Sequence, residues 1–111
     1  MNLFCIVGCI EELPSLKETT TGVKTCSVLM KVDRPFANSE GIYEQDLIQV
    51  EVWRGLAETL CAHSHIGDCL AIKGRMASRR YDKEEKTYYN YVFVAEKIDF
   101  LSKKLEPNES R

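Results

Sequence analysis

The segment 46–53 alternates two kinds of side chain with the two-residue period of a β-strand. One face is apolar and the other is mixed: Ile48, Val50 and Val52 against Leu47, Gln49, Glu51 and Trp53. A half-buried strand turns its apolar face to a core, so the chain's single tryptophan is predicted on the outer face. An exposed ring of this size indicates a binding surface, and Arg54 follows it directly.

A later segment, 69–81, shows the same asymmetry between its two faces. Its core-facing positions are Leu70, Ile72, Gly74 and Met76, and its outer positions include Lys73, Arg75, Arg79 and Tyr81. Cations follow a phosphate backbone and aromatic rings stack on bases, which is the combination that single-stranded nucleic acid requires. An ordinary solvated face explains one such strand equally well, but two of them favour a binding surface.

The charges of the chain are unevenly distributed along its length. The net charge of −2 argues against a nucleic-acid-binding protein. However, residues 1–72 contain five Lys or Arg and ten Asp or Glu, whereas residues 73–86 contain six and three. The basic excess therefore coincides with the strand that carries Tyr81, and a local basic patch can bind phosphates on an acidic molecule.

Length and composition indicate a small intracellular domain. A chain of 111 residues with 44% hydrophobic residues suits one domain with one core. No apolar run approaches the roughly 20 residues that span a bilayer, and the first residues lack the features of a signal peptide. Five cysteines without a secretion signal indicate reduced thiols, so we expect a cytoplasmic protein without membrane attachment.

Four residues near a predicted helix invite a zinc hypothesis: Cys61, His63, His65 and Cys69. Their spacing does not support it. Cys61 and His63 are two residues apart on the helix and point to different sides, and no Cys-x-x-Cys or His-x3-His pair is present. We therefore expect no metal and no other cofactor.

The order of predicted elements defines the fold. Strands are predicted over about residues 3–10, 23–32, 43–53, 69–81 and 88–95, the last continuing weakly to 101. A loop is predicted over 11–22, and Pro35 is expected to help close the second strand. Turn-forming residues at 37–41 join 31–36 and 43–53 into a long hairpin.

A short helix is predicted over 55–64, where Leu56 and Leu60 recur at helical spacing and Gly67 is placed to end it. Three strands, a helix and two strands form the element order of the OB-fold. That fold is an all-β, five-stranded Greek-key barrel, here with one short helix between strands 3 and 4. The domain is predicted to cover 1–101, and residues 102–111 to form a short polar tail.

Several short pieces, in this order, resemble the bacterial single-stranded DNA-binding proteins, the SSB family. They are Ile6-Val7-Gly8, Val52-Trp53-Arg54-Gly55-Leu56-Ala57-Glu58, Gly74-Arg75, Ser78-Arg79-Arg80-Tyr81 and Tyr91-Val92-Phe93-Val94. The similarity extends over about 1–101. The chain lacks the long tail with an acidic tip and a terminal aromatic that many members carry, so a short accessory, plasmid-encoded or phage-encoded form is expected.

The resemblance implies a set of binding residues. Bases would stack on three aromatic rings, Phe36, Trp53 and Tyr81. Candidate phosphate contacts are Arg34, Arg54, Lys73, Arg75, Arg79 and Arg80. Strict alternation places Arg80 on the core face unless the strand bulges there.

The implied function is sequence-tolerant binding of single-stranded DNA, which protects exposed strands in replication, recombination or repair. A homotetramer is implied, with a homodimer as the alternative, and the first strand agrees because it is apolar on both faces. No small-molecule substrate is expected. A protein-interaction or primosomal-type OB module with weak or no DNA binding remains an alternative. A nuclease is not favoured, because it needs clustered carboxylates and the candidates, Asp46, Glu51 and Asp68, are not clustered in the sequence. No enzyme activity is therefore expected.

Overall fold

The structure, a computed structural model, describes residues 1–102. Its elements are β1 (Phe4–Glu12), β2 (Lys17–Glu18), β3 (Lys24–Ala37), β4 (Tyr43–Trp53), α1 (Arg54–His63), β5 (Cys69–Lys83) and β6 (Lys86–Ser102). The predicted strands and helix are present, and β2 is an addition inside the predicted loop at 11–22. Residues 103–111, most of the predicted polar tail, lie outside the described residues.

Five strands close into a barrel in the order β1-β5-β6-β4-β3 and back to β1. Ile10 of β1 pairs with Met30 of β3 at the closure. β4 and β6 are parallel neighbours that meet at Val50 and Phe93, and β2 adds a two-residue edge to β3. This connectivity is that of the OB-fold, so the predicted five-stranded Greek-key barrel is confirmed.

The core lies inside the barrel and is built from alternate positions of its strands. The largest fully buried side chains of the strands come from β1, β3, β4 and β5: Ile10, Val28, Met30, Val50, Val52, Leu70 and Ile72. Ala57 and Leu60 of α1 belong to the same cluster. The predicted core faces of these strands are therefore confirmed over the barrel, since strict two-residue alternation leaves each strand one inward face.

Gly74 marks the closest approach of three strands. A methyl group at this position would collide with the carbonyl oxygen of Val94 and with the ring of Phe4. The Phe4 ring in turn packs edge-on against Phe93, with 5.0 Å between centroids. Only glycine leaves room here for β1, β5 and β6 to curve around the core.

The long hairpin of β3 and β4 is present as predicted, but β3 itself extends further than expected. The second strand was expected to close at Arg34–Phe36, but β3 continues through Pro35 to Ala37. Its pairing with β4 is irregular between Asp33 and Ala37. Because proline donates no ladder hydrogen bond, that interruption accommodates it without ending the strand.

The hairpin of β5 and β6 projects beyond the barrel. It is closed by a two-residue turn, Glu84 and Glu85, whose φ angles of 52° and 65° suit the twist of a tight hairpin. One prediction fails here, because Met76 was assigned to the core but is 42% exposed. Arg80, a candidate phosphate contact that strict alternation would place on the core face, is exposed. Both lie where the strand has left the barrel, so its inward side no longer meets a core.

Gly67 does not end the helix as predicted. α1 finishes at His63, and Gly67 lies in the following turn with a φ of 90°. Its amide donates to the carbonyl of Ile10 at 3.0 Å. The glycine therefore ties the helix–strand connection to β1 rather than capping α1.

Candidate nucleic-acid interface

Trp53 ends β4 and lies on the outer face of the barrel, as predicted. Its ring is half-buried rather than fully exposed. The indole Nε1 donates a hydrogen bond of 3.0 Å to Oε1 of Glu51, two residues earlier on the same face of the strand. A ring held at one edge by a carboxylate keeps a defined orientation and leaves its remaining surface available.

Arg79 of β5 reaches the same carboxylate. Its Nη2 donates to Glu51 Oε1 at 2.7 Å, within an ion pair whose acidic side chain is 18% exposed. We call the three side chains Trp53, Glu51 and Arg79 the ridge. The ridge joins β4 to β5 across β6. In the sheet, Glu51 of β4 pairs with Val94 of β6, and Val94 pairs in turn with Arg75 of β5.

A concavity lies on each side of the ridge. One, of about 370 Å³, is lined by Trp53 and Arg79 together with polar residues of β2, β3 and β4 such as Lys17, Ser27 and Gln49. The other, of about 500 Å³, is lined by Trp53 and Arg79 together with Arg54, Arg75, Ala77 and Glu96. An aromatic ring and a cation thus face two adjacent open depressions.

Arg54 enters the second concavity through an unusual backbone conformation. It follows Trp53 at the junction of β4 and α1 and has a φ of 60°, in the left-handed region that few residues other than glycine adopt. Such conformations persist where the surrounding structure enforces them, and they are concentrated at functional sites. This backbone conformation places Arg54 beside the ridge.

A second aromatic surface lies near the tip of the β5–β6 hairpin. Tyr81 and Tyr88 are directly opposite each other and stack, with centroids 5.3 Å apart and an interplanar angle of 18°. Both rings are partly exposed, at 44% and 40%. The alternation of side chains along the strand predicts Tyr81 at an outer position, whereas no sequence pattern singled out Tyr88. A two-residue turn at 84–85 pairs the two positions, so correct placement of the turn would have found it.

Phe36 and Arg34 lie on the β3–β4 hairpin, away from the ridge. The Phe36 ring is 68% exposed. Arg34 is held by two carboxylates of β4, donating from Nη2 to Asp46 at 2.9 Å and from Nη1 to Glu44 at 2.5 Å. The hydrogen bond from Arg34 lowers the pKa of the Asp46 carboxyl. The hairpin therefore carries an exposed ring, Phe36, and an arginine, Arg34, whose charge is already paired with carboxylates.

The remaining predicted cations occupy different surroundings. Arg75 is 3.9 Å from Glu96 and lines the second concavity. Arg80 lies 3.6 Å from Asp82 on the opposite face of the hairpin from Tyr81. Lys73 is exposed on β5 opposite Cys5 of β1 and lines neither concavity. The structure thus brings Trp53, Arg54, Arg75 and Arg79 together and leaves the other predicted residues at separate sites.

No group of three or more His, Cys, Asp or Glu side chains suited to a metal ion occurs within residues 1–102. The cysteines carry free thiols. Across the same range, no helix has the length and apolar character needed to cross a membrane.

A closed five-stranded barrel with one helix between its third and fourth strands defines an OB-fold domain. The family model of the single-strand binding protein family matches residues 1–101. The chain therefore belongs to the single-strand binding protein family, which confirms the resemblance found in its sequence.

Individual relatives agree with this assignment. Single-stranded DNA-binding protein 3 of Listeria innocua is 35% identical over 105 residues, which cover 94% of this chain and 66% of that protein. The single-stranded DNA-binding protein of Bacillus cereus is 31% identical over 112 residues, which cover all of this chain and 66% of that protein. The chain thus spans just under two thirds of the length of these relatives.

A solved structure supports the fold. The crystal structure of the small single-stranded DNA-binding protein from Streptomyces coelicolor superposes with a TM-score of 0.63 at 19% identity. The superposition covers 88% of this chain and 92% of that one. The barrel is therefore shared although few side chains are the same.

Proposed function

We propose that this protein binds single-stranded DNA with little sequence preference and performs no chemistry on it, residues 1–101 forming the binding domain. The observation that carries the proposal is the ridge, where a half-buried indole and an arginine separate two open concavities. Such a surface accommodates one nucleotide on each side of the ring. Bound in this way, exposed strands would be protected in replication, recombination or repair.

Stacking supplies the preference for unpaired bases. A base stacked on an aromatic side chain contributes roughly 1–3 kcal/mol, whichever base it is, because every base has a flat face. Trp53 provides this contact at the ridge, while Phe36 and the Tyr81–Tyr88 pair extend it along the two hairpins. Duplex DNA hides the same faces within its own stack, so it gains no such contact.

Arginine side chains supply the contacts to phosphates. Arg54, Arg75 and Arg79 line the concavities beside the ridge, where they meet a backbone that passes between stacked bases. Each phosphate neutralised on a single strand changes the logarithm of the binding constant with a slope of about −0.7 against log salt concentration. The net charge of −2 is compatible with this role because the cations are concentrated on β5.

A direct test compares single and double strands. Fluorescence anisotropy of labelled oligo-dT should rise on addition of the protein, whereas a duplex of equal length should bind at least tenfold more weakly at the same salt concentration. Equal binding of both would contradict stacking, and binding of neither would remove the proposed function.

We further propose a homotetramer in the cytoplasm. On the described chain, apolar side chains are exposed on the outer face of β1, at Cys5 and Val7, and directly before the strand, at Leu3. This suits a surface covered by another subunit. Light scattering should give about four times the chain mass of 12.7 kDa. Twice that mass would favour the homodimer, and the chain mass alone would contradict assembly.

One observation favours a protein-interaction module instead. Arg34 and Arg79 are both paired with carboxylates of β4, which reduces the positive field that phosphates meet. An OB module of this kind, or a primosomal-type dimer, would show no change in the anisotropy of oligo-dT at low salt concentration.

A further inference from the structure

A single carboxylate oxygen joins the two outer side chains of the ridge. Oε1 of Glu51 accepts hydrogen bonds from Trp53 Nε1 at 3.0 Å and from Arg79 Nη2 at 2.7 Å. The Glu51 side chain is only 18% exposed, and the residue lines the concavity of about 370 Å³. A negative charge therefore lies at the centre of a surface whose proposed ligand is itself negatively charged.

We propose that the Glu51 carboxylate stands in for a DNA phosphate in the free protein. In the free protein the carboxylate holds Arg79. When a strand binds, Arg79 leaves the carboxylate and pairs with a phosphate of the DNA. Glu51 is thus a positioning residue for Trp53 and at the same time a built-in competitor that limits affinity. This inference rests on the proposed binding of single-stranded DNA.

The exchange follows from the chemistry of the partners. Carboxylate and phosphate oxygens accept the same charge-assisted hydrogen bonds from a guanidinium group. Arg79 can make its best bond to only one of them at a time. A strand must therefore replace an existing contact instead of meeting an unengaged cation, which weakens binding.

The indole contact has the opposite effect. Trp53 Nε1 donates to the same oxygen, so Glu51 restricts the ring before DNA arrives. Restricting a side chain in advance lowers the ordering free energy that binding requires. Glu51 therefore raises the affinity for DNA by orienting Trp53 and lowers the same affinity by holding Arg79.

Glu51→Gln separates these two roles. The amide retains an oxygen for the indole and loses the charge that holds Arg79. We expect Glu51→Gln to bind oligo-dT at least fivefold more tightly at low salt concentration. The salt slope should become more negative by about 0.7, because no displaced carboxylate offsets the neutralised phosphate.

Asp99→Asn is the matched control. Asp99 is also paired with a cation, Lys97 at 3.8 Å, and lies on β6 opposite Ala71, a residue that lines neither concavity. This variant removes the same charge from the molecule, so it should change affinity by less than twofold. An equal gain in both variants would show that net charge alone is responsible and would overturn the proposal.

A double-mutant cycle tests the route through Arg79. In an Arg79→Gln background, adding Glu51→Gln should change affinity by less than twofold, because no guanidinium remains to be released. A gain of the same size in both backgrounds would indicate direct repulsion of DNA by Glu51 and contradict the exchange.

Glu51→Thr is a second variant for the case that Glu51→Gln does not fold. Threonine suits a strand and also removes the charge, but it cannot reach the indole. Its salt slope should steepen as in Glu51→Gln, with a smaller gain in affinity. If wild-type protein binds oligo-dT and neither variant alters the slope, the exchange is wrong while the proposed function stands. If wild-type protein does not bind, the function itself fails.

Discussion

The ridge and the two hairpins present aromatic rings in different physical states. Trp53 is half-buried and fixed by a hydrogen bond to Glu51. Phe36, by contrast, is 68% exposed on a hairpin whose pairing is interrupted, and Tyr81 is supported by Tyr88 alone among ring contacts of the described chain. In the proposed binding of single-stranded DNA, the barrel therefore offers a preorganised stacking site, while the hairpins extend the binding surface beyond the barrel.

Preorganisation decides how much of a contact becomes affinity. A ring that is already oriented loses little conformational entropy on binding, whereas an exposed ring must be ordered by the ligand. Equal stacking contacts at Trp53 and Phe36 should therefore yield unequal contributions, with the larger one at the barrel.

The largest expected effect comes from removing both kinds of ring. Trp53→Ala combined with Phe36→Ala should weaken oligo-dT binding at least tenfold, since each stacked base contributes roughly 1–3 kcal/mol. Of the single variants, Trp53→Ala should lose more than Phe36→Ala. Anisotropy titration measures the affinities, and circular dichroism shows that the barrel remains folded. A larger loss from Phe36→Ala would reverse the comparison.

A smaller effect is expected at the hairpin tip. Tyr88→Ala removes the neighbour that orients Tyr81 and should weaken binding about threefold, below the range of a full stacking contact. Tyr89→Ala is its control, because Tyr89 is exposed on the other face of the same strand. Similar losses in both variants would mean that the hairpin contributes through its overall surface and not through the stacked pair.

The salt dependence distinguishes the arginine of the ridge from one beyond it. Arg79→Ala leaves the Glu51 charge without its cation, so the salt slope should become less negative by up to about 0.7, the change expected for one net charge. Arg80→Ala should leave it unchanged, because Arg80 lies on the opposite face beside Asp82. Equal slopes for the two variants would show that Arg79 adds nothing to the charge that phosphates meet at the ridge.

The smallest expected effect concerns the rigidity of the barrel wall. Cys26 lies in β3 and lines the concavity beside Trp53. Two effects raise the pKa of the Cys26 thiol to about 12: burial, which is the larger, and a hydrogen bond with Cys61. The thiolate is the reactive form, so its alkylation should be slow at pH 8 and accelerate as the pH rises towards 12.

Mass spectrometry after iodoacetamide treatment compares Cys26 in the folded protein with Cys26 in protein unfolded by urea. The folded protein should be modified much more slowly. Equal rates at pH 8 would show that the wall opens readily, and the contrast between a preorganised barrel and adaptable hairpins would then be lost.

The sequence predicts the barrel wall better than its surroundings. Alternation along 46–53 correctly placed Val50 and Val52 in the core and Trp53 on the outer face, because the period of a strand is a local property. It did not reveal that Glu51 bonds both Trp53 and Arg79. That contact depends on the register between strands far apart in sequence, which no local pattern contains.

The errors in the hairpins have a related cause. Met76 follows the alternation of β5 that predicts a core position, yet it is exposed, since the strand continues after the barrel has ended. Pro35 was expected to help close a strand, but an irregular stretch of pairing accommodates it. Where a hairpin leaves a core, tertiary geometry overrides the local pattern.

The emission of Trp53 tests the central claim most directly, because the chain contains one tryptophan and it lies at the ridge. Titration with oligo-dT at low and high salt concentration should quench the emission to the same saturating extent, with weaker affinity at high salt concentration. Emission that stays constant while anisotropy reports bound DNA would show that the strand does not stack on Trp53 and would contradict the account.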